Sequence, residues 1–406
     1  MTPPLHLTGA HIVCPKTGER DGALLIVDGA VTGGEAPSHA TRVDCRGKLL
    51  APGIIDIGVA AIDRAAARAG GIVRIAPMPD QTPVLDEPGA VQRLALIGRP
   101  DLWIHPIAAA TRGLKGTDLA EMAICRSAGA SAVGTGRGWI ADSGVMHRVL
   151  SYARDLDITV ISHAEDGGLA AGAVATEGET ASRLGLPAAP ALAEALAIAR
   201  DLMLAEETGA RLHLRIVSTA AGFALVRAAK ARGVRVTCGI TPAHLLLSDI
   251  AMSDFRTFAH LSPPLRSDDD RKAALAALTD GTIDVLCSAH DPRGPEEKRL
   301  PFADASAGAA DAVTLLPIAL GLVREGRLSL QRLFALLAEG PADVLGLEAG
   351  TLAEGMPGDV ILIDRDAPWQ IDADRLPGKA GNTPFDGLPV QGRVLRMWKG
   401  GREIAG

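Results

Sequence analysis

Two short segments of the chain place histidine beside carboxylates, side chains that bind divalent metals. His163 is followed by Glu165 and Asp166, and His290 is followed directly by Asp291. A tight zinc site needs three or four convergent ligands. The ten histidines of the sequence form neither an H-x-H pair nor an H-E-x-x-H motif. The metal candidates are therefore His163, His290 and Asp291, drawn from distant segments; the alternative for His163 is a hydrogen-bonded histidine inside the fold.

The elements that must position these residues are short apolar runs separated by helical segments. The first run, Ile54–Val59, carries Asp56 near its middle and ends around Gly58 and Ala60. Eight such runs are strand candidates: 54–59, 71–76, 102–108, 130–135, 158–164, 211–218, 234–240 and 283–290. Eight strands with helices between them predict a (β/α)8 TIM-type barrel over residues 51–350, with chemistry at the carboxyl ends of the strands. The alternative is an open doubly wound sheet, but no glycine-rich phosphate loop follows the first strand.

The clearest predicted helix spans residues 190–208. Its spacing places Leu192, Leu196, Ala199 and Met203 on one face, and Gly209 is a stop signal.

Both ends of the chain read as strands and tight turns. Residues 10–14 and 23–27 precede and follow turn-rich segments, and 359–363 and 390–399 repeat the pattern at the other end. We therefore predict an α/β protein in which residues 1–50 and 351–406 form one small composite β-sandwich domain beside the barrel.

Composition excludes several classes of function. The 41 basic and 48 acidic residues give a net charge of −7, so no basic surface for nucleic acid is expected. The apolar runs are too short to span a bilayer, so no membrane segment is predicted. The five cysteines contain no C-x-x-C pair, which is typical of reduced thiols in a cytoplasmic protein.

The order of motifs along the chain resembles that of dihydroorotase-type cyclic amidohydrolases. The segments that carry the resemblance are APGIIDIGVA (51–60), GGIVRIAPMPDQTPVLDEP (70–88), HAEDGGLA (163–170), LGLPAAP (184–190), ITPAHLLLSD (240–249), SPPLR (262–266), SAHDP (288–292) and GNTPFDGLPVQGRV (381–394). The resemblance implies a barrel with a zinc centre that polarises a cyclic amide, and a carboxylate that moves protons.

The same resemblance shows where this chain departs from the catalytic pattern. The two first-strand histidines fall at Gly58 and Ala60, and the substrate-binding arginine falls at Ile62. The remaining family positions are Thr135 or Gly136 for the bridging carboxylate, Ile216 for the strand-six histidine and Ala289 for the strand-eight aspartate. His163 alone is retained. No catalytic residue and no resident metal are therefore expected, with zinc required only if the site has been rebuilt.

The pocket positions implied by the resemblance are altered as well. Asp80 and Ser262 replace asparagines, and Arg293 replaces a histidine. Together with Arg137 and Arg266, these residues are candidates for a vestigial pocket that binds an anion such as a nucleotide.

Two functions remain open. The first is a catalytically inactive dihydroorotase homologue that serves as structural or regulatory partner of aspartate carbamoyltransferase in pyrimidine biosynthesis. The resemblance suggests it because some similar chains have lost their metal ligands and serve as scaffolds; a homo-oligomer is also expected from the family. The alternative is an active dihydroorotase, or a related zinc-dependent hydrolase of dihydroorotate or a hydantoin, with a rebuilt metal site.

Overall fold

The computed structural model describes residues 3–404, and the chain begins with five strands. These are β1 (Leu5–Cys14), β2 (Gly18–Val27), β3 (Ala30–Thr32), β4 (Thr41–Asp44) and β5 (Leu49–Pro52). The turn at Asp28-Gly29 joins β2 to β3, and both turn residues have positive φ.

Parallel strands follow and form the barrel. They are β6 (Ile54–Val59), β7 (Ile72–Pro77), β8 (Trp103–Ile104), β9 (Ile107–Ala109), β10 (Ala132–Gly134), β11 (Thr159–Ser162), β14 (Leu212–Leu214), β15 (Val236–Ile240) and β16 (Val285–Leu286). Between β11 and β14, the short strands β12 (Ala175–Thr176) and β13 (Ala188–Ala189) pair only with each other. Hydrogen bonding runs in the orders β6-β7-β8 and β9-β10-β11-β14-β15-β16. Strands β6 and β7 are buried along their whole length, as their uninterrupted apolar sequences require in a sheet covered on both faces.

Helices lie between and around these strands. They are α1 (Arg64–Ala69), α2 (Pro88–Ile97), α3 (Met122–Ser127), α4 (Ser143–Asp155), α5 (Gly167–Ala170), α6 (Glu179–Leu184), α7 (Leu192–Thr208), α8 (Ala220–Ala231), α9 (Pro242–Leu246), α10 (Asp268–Thr279), α11 (Pro295–Lys298), α12 (Leu315–Arg324), α13 (Leu330–Phe334) and α14 (Gly340–Leu345). Within residues 3–404, no helix is long and apolar enough to cross a membrane.

The last strands return to the first ones. Strands β17 (Val360–Gln370), β18 (Pro389–Lys399) and β19 (Arg402–Glu403) join β1–β5 in one eight-stranded sheet, in which β17 pairs antiparallel with β5. Its own apolar core contains Leu7, Ile12, Leu50 and Trp398. The (β/α)8 barrel with a small β-sandwich domain predicted from the sequence is confirmed.

The barrel closes between its first and last strands through a buried carboxylate. Asp56 of β6 accepts hydrogen bonds from the Ser288 backbone N–H, at 2.9 Å, and from the Ser288 hydroxyl. The Ala60 N–H donates to the His290 carbonyl at 2.9 Å. Burial raises the pKa of Asp56, and the two bonds offset the cost of enclosing its polar oxygens.

One sequence prediction about a strand was wrong in detail. The run 102–108 forms two short strands rather than one, because Pro106 has no N–H to donate to a ladder. Strand β8 pairs with β7, and β9 pairs with β10.

The helix α7 ends at Gly209 as predicted, and this glycine adopts a left-handed conformation. Leu192, Leu196 and Met203 lie on its exposed face. The buried face carries the carboxylates Glu194 and Asp201 among alanines and two larger apolar residues, Ile198 and Leu202. Hydrogen bonds to distant polar groups, described below for Glu194, decide which face turns inward.

Candidate functional site

The positions implied for the lost metal ligands converge at the carboxyl end of the barrel. Gly58 and Ala60 end β6, Thr135 follows β10, Ile216 follows β14 and Ala289 follows β16. Ala60, Ile216 and Ala289 line one cavity of about 30 Å³. That volume is close to the share of one water molecule in the liquid, whereas sites for small organic ligands measure several hundred Å³. The cavity therefore has no room for a nucleotide.

Arg215 fills the centre of this end of the barrel. Its side chain is 4 % exposed and lines the same cavity. A Cβ atom built on Gly58 would lie 3.1 Å from Arg215 Cδ and 3.2 Å from Cγ. The guanidinium Nη1 lies 3.5 Å from the Gly58 carbonyl oxygen, and Nε has no hydrogen-bond partner among the described residues. Burial lowers the pKa of this guanidinium, yet it remains a cation because the ordinary arginine value is so high.

A bridge of ion pairs crosses the mouth of the barrel. Arg137 Nε donates to Asp80, and Arg137 Nη1 donates to Asp291 Oδ2 at 2.8 Å. Arg293 Nη2 reaches the same Asp291 oxygen at 2.8 Å, and Nη1 lies 3.3 Å from Glu297. The loops after the second, fourth and eighth barrel strands are thereby tied together, and each arginine faces a carboxylate.

His163, the retained family position, lies buried beside this end of the barrel. Its Nε2 is 3.7 Å from Glu165 Oε2, and its backbone N–H donates to Thr135 Oγ1 at 3.1 Å. Burial lowers the pKa of His163. Burial opposes ionisation of Glu165 as well, but hydrogen bonds and charge from His163 and Arg266 outweigh it and hold the Glu165 pKa at about 2.

The pair His290-Asp291 does not act as a unit. His290 Nε2 faces Asp63 at 3.7 Å, and its Nδ1 accepts a hydrogen bond from the Ala312 N–H at 3.3 Å. Asp291 faces the two arginines of the bridge instead. The two donors of this pair therefore face different partners and are not brought to one site.

Comparison with known proteins identifies the family. The family model for dihydro-orotase-like proteins matches residues 47–221. A dihydroorotase of Geobacter sp. (strain M21) is 38% identical over 410 residues, covering 96% of each chain. A dihydroorotase of Pelobacter propionicus is 38% identical over 419 residues, covering 98% of this chain and 99% of that protein. The chain belongs to the dihydroorotase-like family.

Solved structures of related cyclic amidohydrolases share the fold. The L-hydantoinase of Arthrobacter aurescens superposes with a TM-score of 0.88 at 25% identity, covering 100% of this chain and 96% of that one. The dihydropyrimidinase of Brevibacillus agri superposes with a TM-score of 0.83 at 21% identity, covering 99% and 95%.

The zinc that the family resemblance implies does not fit the donor set of this dihydroorotase-like chain. Throughout residues 3–404, no group of three or more His, Cys, Asp or Glu side chains is arranged to hold a metal ion. His163, His290 and Asp291 each face other partners. Glycine, alanine and isoleucine side chains offer no lone pair at the remaining positions.

Arg266, predicted from the sequence as an anion-binding candidate, belongs to a separate buried network. It donates to Ser218 Oγ at 3.0 Å, Thr176 Oγ1 at 3.1 Å and Glu165 Oε1 at 3.1 Å. Its fourth partner is Glu194, at 3.3 Å. All four of these acceptors belong to the protein itself, so Arg266 links the loops after β11 and β14 to α7.

Of the other predicted residues, Ser262 lines the small cavity, and Gly136 adopts φ +74° directly after β10. Ile62 is half-buried and packs against the main apolar core, so the position of the implied substrate arginine now contributes to packing. Asp80, Arg137 and Arg293 belong to the bridge.

Sequence analysis missed two residues that matter at this end of the barrel. Glu194 accepts hydrogen bonds from the Ser218 and Thr219 backbone N–H groups, at 2.9 and 2.8 Å, although it sits in an apparently ordinary helical repeat. Arg215 lies two positions after His213 of β14, and both residues are buried. Because side chains two positions apart along a strand share a face, this spacing is the signal that could have placed a cation inside the barrel.

Larger clefts lie mostly away from the mouth. Three grooves of about 640, 680 and 660 Å³ border β18. A fourth groove, of about 510 Å³, includes Ala60 and Ile62 beside the mouth. Chemistry in TIM barrels takes place at the carboxyl ends of the strands. We therefore take the small cavity at Arg215, and not the grooves along β18, as the candidate site.

Proposed function

We propose that this protein is a catalytically inactive dihydroorotase homologue. The observation that supports the proposal is the state of the barrel mouth. Ala60, Ile216 and Ala289, at three of the ligand positions, line a cavity of about 30 Å³ together with the buried Arg215. A cyclic amide substrate needs several times that volume, and a zinc centre needs donors that these positions lack.

Its role in the proposal is that of a structural or regulatory partner of aspartate carbamoyltransferase in pyrimidine biosynthesis. Support for the partner comes from the sequence resemblance to scaffold-type family members. The barrel core is intact, the Asp56–Ser288 hydrogen bonds join β6 to the segment after β16, and the β domain has its own apolar core. These features agree with selection for a stable fold, since a chain without constraint would accumulate breaks in its core pattern.

The test starts with the purified wild-type protein. Zinc content is measured by elemental analysis, and dihydroorotate hydrolysis and N-carbamoyl-aspartate cyclisation are assayed on the same preparation. The proposal predicts less than about 0.1 zinc per chain, because no three-ligand site exists, and no turnover above buffer. Stoichiometric zinc together with turnover would overturn it.

The partner is tested by mixing the protein with aspartate carbamoyltransferase from the same source. Size-exclusion chromatography with light scattering should show one complex of larger mass than either protein. Separate elution at micromolar concentrations, where stable complexes persist, would refute the scaffold role while leaving the loss of catalysis intact.

The second candidate is an active dihydroorotase or a related cyclic amidohydrolase. It is favoured by the names of the relatives, several of which are called dihydroorotase at 37–38% identity over nearly the whole chain. It would require His163, His290 and Asp291 to rearrange around a metal. Turnover that disappears in His163→Ala and in His290→Ala, but persists in the exposed His147→Ala control, would establish it.

A further inference from the structure

Arg215 occupies the space into which a first-strand ligand would project. Its Cγ and Cδ atoms lie within 3.2 Å of the position that a Cβ on Gly58 would take. Contacts that short are tighter than ordinary van der Waals packing. A histidine at position 58 would therefore require the Arg215 side chain to shift, and the φ of +76° at Gly58 strains any side chain there.

The arginine also brings a fixed positive charge to the same place. It is 4 % exposed, its Nε has no partner within the described chain, and no carboxylate pairs with it directly. The nearby carboxylates Asp80 and Asp291 are held by Arg137 and Arg293 instead. A second cation at this point would meet repulsion in a region of low dielectric.

We infer that Arg215 has taken the place of the catalytic metal, so that the barrel centre is occupied from within by a guanidinium. The inference rests on the proposed loss of catalysis, and it adds that the Arg215 side chain fills the position of the metal. It implies that returning the family ligands alone would not recreate a zinc site, because Arg215 would still block and repel the ion.

The experiment rebuilds the ligands with and without the arginine. Ala60→His, Ile216→His and Ala289→Asp, combined with the native His163, supply four donors at the mouth. Gly58 is kept, because its φ of +76° would strain any side chain there. This restored protein is compared with the same protein carrying Arg215→Ala. The probe is Zn²⁺ alone, titrated into each and followed by elemental analysis after desalting.

We expect about one zinc per chain with Arg215→Ala, and affinity weaker by roughly tenfold or more when Arg215 is retained, as expected for a cation beside a divalent ion. Equal zinc affinity in the two proteins would overturn the inference. Failure of both to bind would overturn it too, since removal of Arg215 should open the site.

Two further variants separate occupation from other effects. Arg215→Met removes the charge but keeps most of the side-chain volume, and the restored protein carrying it should bind zinc more tightly than the restored protein that retains Arg215. It replaces Arg215→Ala if the Arg215→Ala protein does not unfold in a cooperative thermal transition. Arg137→Ala removes one positive charge from the bridge while leaving Arg215 in place. Zinc binding raised by Arg137→Ala as much as by the Arg215 variants would contradict the inference.

Failure of the inference can be distinguished from failure of the proposed function. Zinc and turnover in the wild-type protein would refute the loss of catalysis. A metal-free wild type whose restored form binds zinc despite Arg215 would refute only the inference.

Discussion

Two buried groups of charges in this molecule follow different rules. At the amino end of the barrel, Asp359 receives Arg74 Nε at 2.9 Å and Lys399 Nζ at 2.9 Å on each oxygen. Arg74 and Lys399 also stack on Trp103, with 4.8 and 3.9 Å from the cation to the ring centroid. At the mouth, Arg215 is equally buried but has an unpartnered Nε and no direct carboxylate.

The difference reflects what each region does for the fold. Asp359 precedes β17 and its carbonyl accepts from the Gly53 N–H at the start of β6, so the first group joins the β domain to the barrel. A buried ion pair with good geometry is costly to break from one side. The mouth, by contrast, holds a buried cation without a complete set of partners.

The largest effect is expected from Asp359→Ala. Two buried cations, Arg74 and Lys399, would lose their common carboxylate, so the free energy of unfolding should fall by about 3–5 kcal/mol. Urea denaturation monitored by circular dichroism measures the change. Asp366→Ala, at an exposed aspartate of β17, is the matched control and should stay within about 0.5 kcal/mol of wild type; similar losses in both would contradict the comparison.

Arg74→Met and Arg215→Met test the contrast directly. Arg74→Met should cost about 1–3 kcal/mol because Asp359 loses one of its charged donors. Arg215→Met should change the unfolding free energy by less than about 1 kcal/mol, because exchanging a poorly paired buried charge for an apolar side chain is often neutral or stabilising. If Arg215→Met is the more damaging of the two, the mouth is not the less satisfied region.

The pH dependence of stability should carry the signature of Lys399. Burial lowers its pKa to about 8, although Asp359 opposes this, from an ordinary value of 10.5. The unfolded chain therefore binds more protons between about pH 8 and about pH 10.5, and this group makes stability rise with pH across that window. The difference in unfolding free energy between wild type and Lys399→Met should increase over the same range. A flat difference would show that the pKa of Lys399 is not lowered in the folded state.

The smallest effect is expected from the bridge over the mouth. Arg137 has a side chain that is 37% exposed, and partly exposed ion pairs contribute little. Arg137→Ala should therefore lower the unfolding free energy by less than about 1 kcal/mol, measured by urea denaturation. A loss as large as that of Asp359→Ala would mean that the bridge, like the amino-end cluster, holds the fold together.

Much of the architecture was predictable from local sequence patterns. Apolar runs such as Ile54–Val59 indicated barrel strands, and the stop signal at Gly209 marked the end of α7. The observed strands after position 200 are shorter than predicted, since 211–218 reduces to Leu212–Leu214. The strand pairing stops before the apolar run ends, because the chain there becomes a loop of the barrel mouth. Apolar character alone does not mark the residue at which the pairing stops.

The sequence by itself determined the barrel order and the absence of donors at Gly58, Ala60, Ile216 and Ala289, because residue type alone decides whether a side chain has a lone pair for zinc. Only the tertiary structure decided that Arg215 enters the vacated centre, that Arg137 joins Asp80 to Asp291, and that α7 turns Glu194 inward. Each of these contacts joins segments far apart in the chain. Local periodicity specifies which face of a helix or strand a residue occupies. Which other segments pack against that face depends on how the barrel closes and on which partners are within reach of the buried charges.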